Sequence, residues 1–385
     1  ALFHLHYIKI CLYLHSVVLI ATYTDRYHYK KPIHYSIKLE NELNNLFETM
    51  LAENQTLLAD GATGTNLFAL GLQSGDAPEL WNTEEPQKVA SHYRGFIDAG
   101  SDIVLTNTFG GTRYRLKLHK AQERVAELNI AAVSILKEQI IDSGRTVAIA
   151  GSIGPTGEIL APLGEMIPEE AVAAFAEQAL ALKEGGADVL WIETMSSQEE
   201  VELAVEGASQ AGLPIVFTMS FDTNGRTMMG VGAADMMNLH HRVKPHAHAC
   251  GTNCGVGASE VVAAVLNMKA TAVEGTDPVI VAKANCGIPE FVNGKIVYNG
   301  TPEIMANYAI MARNAGARII GGCCGTSPEH VLAMRQALDS NPISVAPTLD
   351  EILDLLGDVS EGAKAQSRGE HAVKVRVASG KRRRK

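Results

Sequence analysis

Two of the six cysteines in this chain are adjacent, in Gly321-Gly322-Cys323-Cys324-Gly325-Thr326. Neighbouring cysteines rarely bridge each other, because their Cα atoms lie closer than disulfide geometry wants. Two thiolates at one point do suit a soft or borderline metal, of which zinc is the commonest. A third thiolate is available in Gly251-Thr252-Asn253-Cys254-Gly255. The competing reading makes these residues small buried hydrophobes, since free cysteine is among the most buried residue types. Three cysteines, Cys254, Cys323 and Cys324, with no fourth protein ligand form the pattern of a catalytic Zn2+ site whose vacancy takes substrate. Zinc on three thiolates carries net negative charge and activates water poorly. It is better suited to binding a substrate thiol, lowering its pKa and leaving a nucleophilic thiolate. The chemistry this favours is alkyl transfer to sulfur.

The elements that must position these thiols follow one recurring pattern. Short apolar runs end in Gly, Asn, Thr or acidic residues, and an amphipathic stretch comes after each. The runs are 56–61, 102–109, 146–154, 188–195, 214–221, 247–255, 278–287 and 317–325. Between them Val125, Leu128, Ala132 and Ile135 show the spacing of one buried helix face, as do Phe175, Ala179 and Leu182. Gly100, Gly186, Gly212 and Gly316 stand where helices should stop. Eight strand-like runs alternating with helices predict an α/β fold, the (β/α)8 TIM barrel. The alternative, a doubly wound open sheet, normally carries a glycine fingerprint after its first strand. Asp60-Gly61-Ala62-Thr63-Gly64-Thr65 lacks that spacing, and no P-loop occurs. In a barrel the chemistry sits at the C-terminal strand ends. Cys254 ends the sixth run and the Cys323-Cys324 pair the eighth, so all three thiols are expected on one rim with Asp60, Thr106 and Glu193. Asp60 and Glu193 have a second reading as helix caps. Cys250 lies four residues below Cys254, roughly 13 Å down a strand, which is too deep to join them.

Composition bounds the rest. The formal net charge is −10 and 46% of residues are hydrophobic, as in an ordinary soluble globular chain. The acidic balance argues against nucleic-acid or membrane-surface partners. Six cysteines in a chain of this length do not make a disulfide framework, so a reducing, cytoplasmic compartment is expected. Residues 1–49 hold six of the ten tyrosines and five of the thirteen histidines. They read as an extension or leader outside the fold, with the protein proper starting near Met50. The apolar stretch Ile10 to Ala21 is too short for a spanning helix and is interrupted by His15. The barrel is expected over residues 50–340. Residues 341–385 are expected to form a short acidic helix and then, from about Ser360, a solvated, disordered tail closing on the basic run Lys381 to Lys385.

The strand-end motifs resemble a known family. Asp60 to Thr65, Thr106-Asn107-Thr108-Phe109, Gly151-Ser152-Ile153-Gly154-Pro155, Ile192-Glu193-Thr194, Asn253-Cys254-Gly255 and Gly321 to Thr326 look like the zinc-dependent homocysteine S-methyltransferases. The resemblance covers about residues 55–340, and the stretch Ala59–Trp81 looks most like the bacterial betaine-type members. It implies Cys254, Cys323 and Cys324 as zinc ligands and Asp60 and Glu193 as the holders of the homocysteine ammonium. It also implies that backbone N–H groups after Asp60, where Gly61 and Gly64 permit close approach, and hydroxyls near Thr106 meet the carboxylate. Two departures stand out. Animal betaine enzymes carry tyrosines just after the second-strand motif and the fourth-strand glutamate, where this chain has Gly110 and Thr194. A quaternary ammonium is usually held by cation–π contacts, which leaves Trp81, Phe109 and Tyr114 as candidates for the donor pocket. The second departure is Ala284-Asn285-Cys286-Gly287, which imitates Thr252-Asn253-Cys254-Gly255. Cys286 is a rival ligand by sequence alone, but the resembled family does not use that position.

The expected activity is zinc-dependent methylation of homocysteine to methionine from a small onium donor such as glycine betaine or dimethylsulfoniopropionate. A second reading is the homocysteine-activating subunit of a split, cobalamin-dependent methionine synthase or corrinoid-linked methyltransferase. A third is a zinc-binding scaffold without catalysis. Partners are expected to be small molecules, and assembly into a homo-oligomer is left open.

Overall fold

A computed structural model describes residues 45–222, 224–292 and 295–370. Each of the eight apolar runs contains a strand. They are β1 (Leu57–Leu58), β2 (Ile103–Leu105), β3 (Ala148–Ile153), β4 (Val189–Met195), β5 (Ile215–Met219), β6 (Ala249–Cys254) and β7 (Ile280–Ala284), with the eighth formed by β10 (Ala317–Gly322). A two-stranded antiparallel hairpin, β8 (Pro289–Val292) and β9 (Lys295–Tyr298), follows β7. The large sheet is parallel throughout, in the order β1-β10-β7-β6-β5-β4-β3-β2. A parallel bridge between Ala59 and Ile103 joins the two ends and closes the TIM barrel.

The strands are apolar on both faces because both are covered. Along β4, Val189 and Trp191 point into the barrel with Leu57, Ile103, Val216 and Ile319. Leu190 and Ile192 point outward, against the helix layer. The main helices of that layer are α2 (Pro86–Asp98), α3 (Val125–Ser143), α4 (Pro168–Gly185), α5 (Gln198–Ser209), α6 (Ala233–Arg242), α7 (Ala258–Ala270), α8 (Pro302–Asn314) and α9 (Pro328–Ser340). Gly186 and Gly316, marked in the sequence as helix stops, adopt φ of 103° and 113°, a conformation open to glycine at little cost.

Both predicted boundaries move outward. Helix α1 (Leu46–Glu53) begins ahead of Met50 and closes the N-terminal end of the barrel. Its Phe47 is 0% exposed, packed with the inward residues of the strands. Asn45 caps α1 by accepting from the N–H groups of Phe47 and Glu48, and its Nδ2 donates to the Asp188 carbonyl, 2.7 Å away. The fold therefore includes Asn45 and the whole of α1. At the other end α10 (Leu349–Leu356) is the expected acidic helix, but the chain does not leave the fold at Ser360. Helix α11 (Glu361–Ser367) buries Ala363 and Gln366, and Asn267 of α7 donates to the Ala363 carbonyl. The small apolar face of α11 is too short to register as a periodic pattern. The leader residues 1–44 and the basic run at Lys381 to Lys385 lie outside the described residues. Among the described residues no helix is long and apolar enough to cross a membrane.

Candidate metal and substrate site

The C-terminal ends of the strands surround a cavity of about 400 Å3, a size that suits small metabolites. Cys254, Cys323 and Cys324 line it together with Gly61, Thr106, Glu193 and Lys283. The three sulfurs lie within 4.8 Å of one another, and Cys254 Sγ is 3.9 Å from Cys324 Sγ. Tetrahedral zinc with Zn–S bonds of about 2.3 Å puts its sulfurs about 3.8 Å apart, so the donor set fits that ion.

Backbone geometry aims these thiols. Cys254 sits at φ 63°, in the left-handed region, at a cost of roughly 1–2 kcal/mol that its neighbours must hold in place. Asn285 supplies part of that hold. Its Nδ2 donates to the Gly255 carbonyl at 2.7 Å, and its Oδ1 accepts from the Cys324 N–H at 3.0 Å. One side chain thus ties both cysteine loops together. Asn253 does similar work lower down. Its Oδ1 accepts from the Thr194 N–H and the Thr218 hydroxyl, while its Nδ2 donates to Thr194 Oγ1. Tyr298, on β9, lays its ring on Gly325, where an added Cβ would meet Tyr298 Cγ at 2.3 Å.

The sulfurs cannot all ionise unaided. Hydrogen bonds from Cys254 and Cys323 push the Cys324 thiol down. The bonds to Cys323 and Cys324, with burial, push Cys254 far up. Cys323 is pulled down by Cys254 but carried up to about 12 by Cys324 and by burial. A cation among them is what would let all three carry charge. Cys286 is fully buried and donates to the Gly300 carbonyl, outside this trio. Cys250 is buried in β6 with its thiol pushed well up by desolvation.

The carboxylates divide their roles. Glu193 faces the cavity, accepts from Ser152 Oγ at 2.6 Å, and is pushed up to about 7 by burial against the opposing pull of Lys283. Asp60 is fully buried and lies outside the cavity lining. One of its oxygens accepts from Lys283 Nζ and the other from the Leu105 N–H. Burial pushes Asp60 up while Lys283 pulls it back. Against its own desolvation, Lys283 is held protonated above its ordinary range by Asp60 and Glu193. Gly321 makes room for it, since an added Cβ there would sit 3.2 Å from Lys283 Cγ and 2.9 Å from Ala59 Cβ.

Thr106 has no proton to spare. Thr108 donates to the Ser152 carbonyl, so the 2.6 Å bond between the two threonine hydroxyls uses the Thr106 proton, and Thr106 Oγ1 also accepts from the Ser152 N–H. Gly61 lines the cavity where any Cβ would strike the Thr326 carbonyl at 2.5 Å. Of the three aromatic residues considered for a donor pocket, Phe109 lines the cavity. Trp81 is buried beside Lys88, and Tyr114 reaches Glu170 at 3.3 Å. Phe68, Glu79, Arg115, His119, Lys283 and Tyr298 were not anticipated from the sequence. Lys283 had a visible signal, a lysine inside an apolar run.

A family model for homocysteine S-methyltransferases matches residues 57–338. The chain belongs to this family. Methionine synthase from Mycobacterium tuberculosis is 28% identical over 316 residues, covering 76% of this chain and 26% of that protein. Methionine synthase from Mycobacterium leprae is likewise 28% identical, over 313 residues, covering 76% and 25%. This homocysteine S-methyltransferase family member therefore spans about a quarter of the length of those relatives. The homocysteine methyltransferase MmuM from Escherichia coli shares the fold. Its metallated form superposes with a TM-score of 0.61 at 24% identity, covering 76% of this chain and 99% of that one. Its oxidized form gives 0.61 at 23% identity, with the same coverage.

Proposed function

We propose that this family member transfers a methyl group from a small onium donor, glycine betaine foremost, to the thiol of homocysteine, giving methionine, with zinc on Cys254, Cys323 and Cys324. The observation that carries the reading is the meeting of three cysteine sulfurs within 4.8 Å on a cavity that also presents Glu193. Zinc bound there would lower the pKa of the substrate thiol and keep it nucleophilic.

The protein's own groups arrange the amino-acid end. Glu193 takes the ammonium, with Ser152 fixing its carboxylate. Asp60 acts behind it, holding Lys283 through the buried ion pair. With Thr106 committed to Thr108, the carboxylate falls to the backbone N–H groups of the turn after Asp60 and to Lys283. One N–H of Lys283 goes to Asp60 and the side chain lines the cavity. A cationic donor meeting a thiolate annihilates charge in the transition state, which a site that sheds water around the sulfurs favours.

A second reading has its own support. The methionine synthases matched are about four times longer than this match, which suits a homocysteine-activating piece that works with a separate corrinoid protein. A donor screen on purified protein, with zinc and homocysteine, separates the two. Methionine formed from glycine betaine or dimethylsulfoniopropionate alone is the expected result. Methionine formed only with a methylated corrinoid protein would replace the first reading with the second.

A further inference from the structure

The match to the family ends at residue 338, but the chain continues along the outside of the barrel. Helix α10 packs on α7 and α8, where its Ile352 is buried. The stretch from Asp358 to Gln366 then holds two elements of the barrel at once. The first is the opening turn of α7, which begins at Ala258, four residues after Cys254. Ser259 Oγ donates to the Asp358 carbonyl at 2.6 Å, and the buried Glu260 accepts from the Ser360 N–H.

The second is the loop between β5 and α6. Asn224 Oδ1 accepts from the Gly362 N–H at 2.7 Å. Gln366, only 4% exposed, ties the two ends of this loop together. Its Nε2 donates to the Gly225 carbonyl at 2.6 Å, and its Oε1 accepts from the N–H of Ala233, the first residue of α6, at 3.2 Å. Two glycines let the backbones meet. A Cβ on Gly362 would lie 1.9 Å from the Asn224 carbonyl oxygen, and one on Gly225 would lie 2.6 Å from the Ala363 nitrogen.

Both held elements touch the turn that carries Cys254. From the β5–α6 loop, Ser220 Oγ accepts from the Gly255 N–H at 3.2 Å, and the Phe221 carbonyl oxygen would stand 2.9 Å from a Cβ on Gly255. On the other side, Gly255, Val256 and Gly257 are all that separate Cys254 from α7. Cys254 and Gly255 both hold left-handed φ, 63° and 68°. Such a conformation at a non-glycine residue persists only where its surroundings fix it. No residue from Asp358 to Gln366 lines the cavity, and among the described residues no hydrogen bond joins that stretch to the Cys323-Cys324 loop. Its route to the site is the Cys254 turn.

We propose that residues 358–366 are a positioning strap that fixes the Cys254 turn, with Gln366 as its main fastening. This rests on the metal reading above and sharpens it: of the three sulfurs, Cys254 is the one whose placement depends on a segment outside the family match.

Two measurements on the full chain test the strap. Hydrogen exchange in zinc-free protein reads the turn without any metal, and competition with a colorimetric chelator reads zinc affinity. Gln366→Met keeps the side chain's length and removes both of its hydrogen bonds. It should speed exchange across residues 254–257, leave residues 323–326 unchanged, and weaken zinc about 10-fold, the low end for losing an outer partner of a metal ligand. Ser259→Ala releases only the contact at α7 and should act in the same direction to a smaller degree, which keeps the test open if Gln366→Met folds poorly. Ile352→Ala is the control. It empties space under α10 and should lower the melting temperature while leaving the turn and the zinc affinity as in wild type. Wild-type exchange and zinc affinity in both Gln366→Met and Ser259→Ala would overturn the strap. So would an Ile352→Ala protein whose turn loosens as much as that of Gln366→Met for the same loss in melting temperature. Exchange that responds to Gln366 in a protein that binds no zinc would uphold the strap and reject the metal reading. Zinc held by the three cysteines, with exchange and affinity indifferent to Gln366 and Ser259, would do the reverse.

Discussion

Lys283 Nζ lies 2.5 Å from Asp60 Oδ1, with both side chains no more than 2% exposed, beneath the cavity that Lys283 helps to line. Glu193 is a second carboxylate acting on the same ammonium. One buried cation therefore balances two buried acids, and the arrangement sets the charge of the site before any substrate enters.

Breaking that pair from one side should be costly. Lys283→Met leaves Asp60 and Glu193 without their counter-charge, and removing one partner of a buried pair typically costs about 3–5 kcal/mol. The double variant Asp60→Asn with Lys283→Met should recover a good part of this loss. Urea denaturation gives both numbers. A Lys283→Met protein as stable as wild type would show that the pair contributes nothing, and an unchanged homocysteine affinity in that variant would remove Lys283 from the substrate site.

The metal assignment makes a sharp distinction among cysteines. Cys254→Ser, Cys323→Ser and Cys324→Ser should each release zinc, since two remaining thiolates bind too weakly to retain it. Cys286→Ser should keep it, because that thiol is turned to the Gly300 carbonyl. Metal content per chain after dialysis reads this directly. Zinc lost from Cys286→Ser and retained by Cys254→Ser would reverse the assignment.

The barrel was legible because eight apolar runs each carried a strand and ended in chemistry-bearing residues. The three thiols could be brought together from sequence since a barrel rim collects strand ends regardless of chain distance. What stayed hidden depends on partners distant in sequence. Nothing local shows that the Thr106 hydroxyl bonds that of Thr108, or that Asp60 pairs with Lys283, 223 residues away. The hairpin β8–β9 did have a signal, Asn293-Gly294 between Phe291-Val292 and Lys295-Ile296-Val297, which the alternating barrel pattern masked. With it went Tyr298, whose ring lies against Gly325 beside Cys324.

Helix α1 and its Asn45 cap are part of the fold, which sets a truncation test. A chain beginning at Asn45 should keep wild-type stability and activity. One beginning at Met50 loses the buried Phe47 ring and the Asn45 cap, which should cost about 3 kcal/mol or more. Phe47→Ala in the full chain should reproduce most of that loss. Thermal melts of the three proteins compare them. A Met50 start as stable as an Asn45 start would mean that the plug contributes little to closing the barrel.

His92 gives the fold a specific acid sensitivity. It is buried on α2 beside Tyr93 and edge-on to Phe96, with Nε2 lacking a hydrogen-bond partner among the described residues. Burial pushes its pKa down to about 4, from about 6.5 in an unfolded chain. Between those values the unfolded chain binds a proton that the folded one refuses. The stability associated with neutral His92 is therefore fully present above about pH 6.5 and lost as pH falls towards 4. A shift of this size corresponds to roughly 3 kcal/mol across that window. His92→Phe removes the titration and retains an aromatic ring for Phe96. Many carboxylates titrate in the same range, so the difference between the two proteins is the quantity to measure. Urea midpoints taken from pH 7 to pH 4 should fall more steeply for wild type, and parallel curves would show that His92 takes up its proton as readily in the fold as in the unfolded chain.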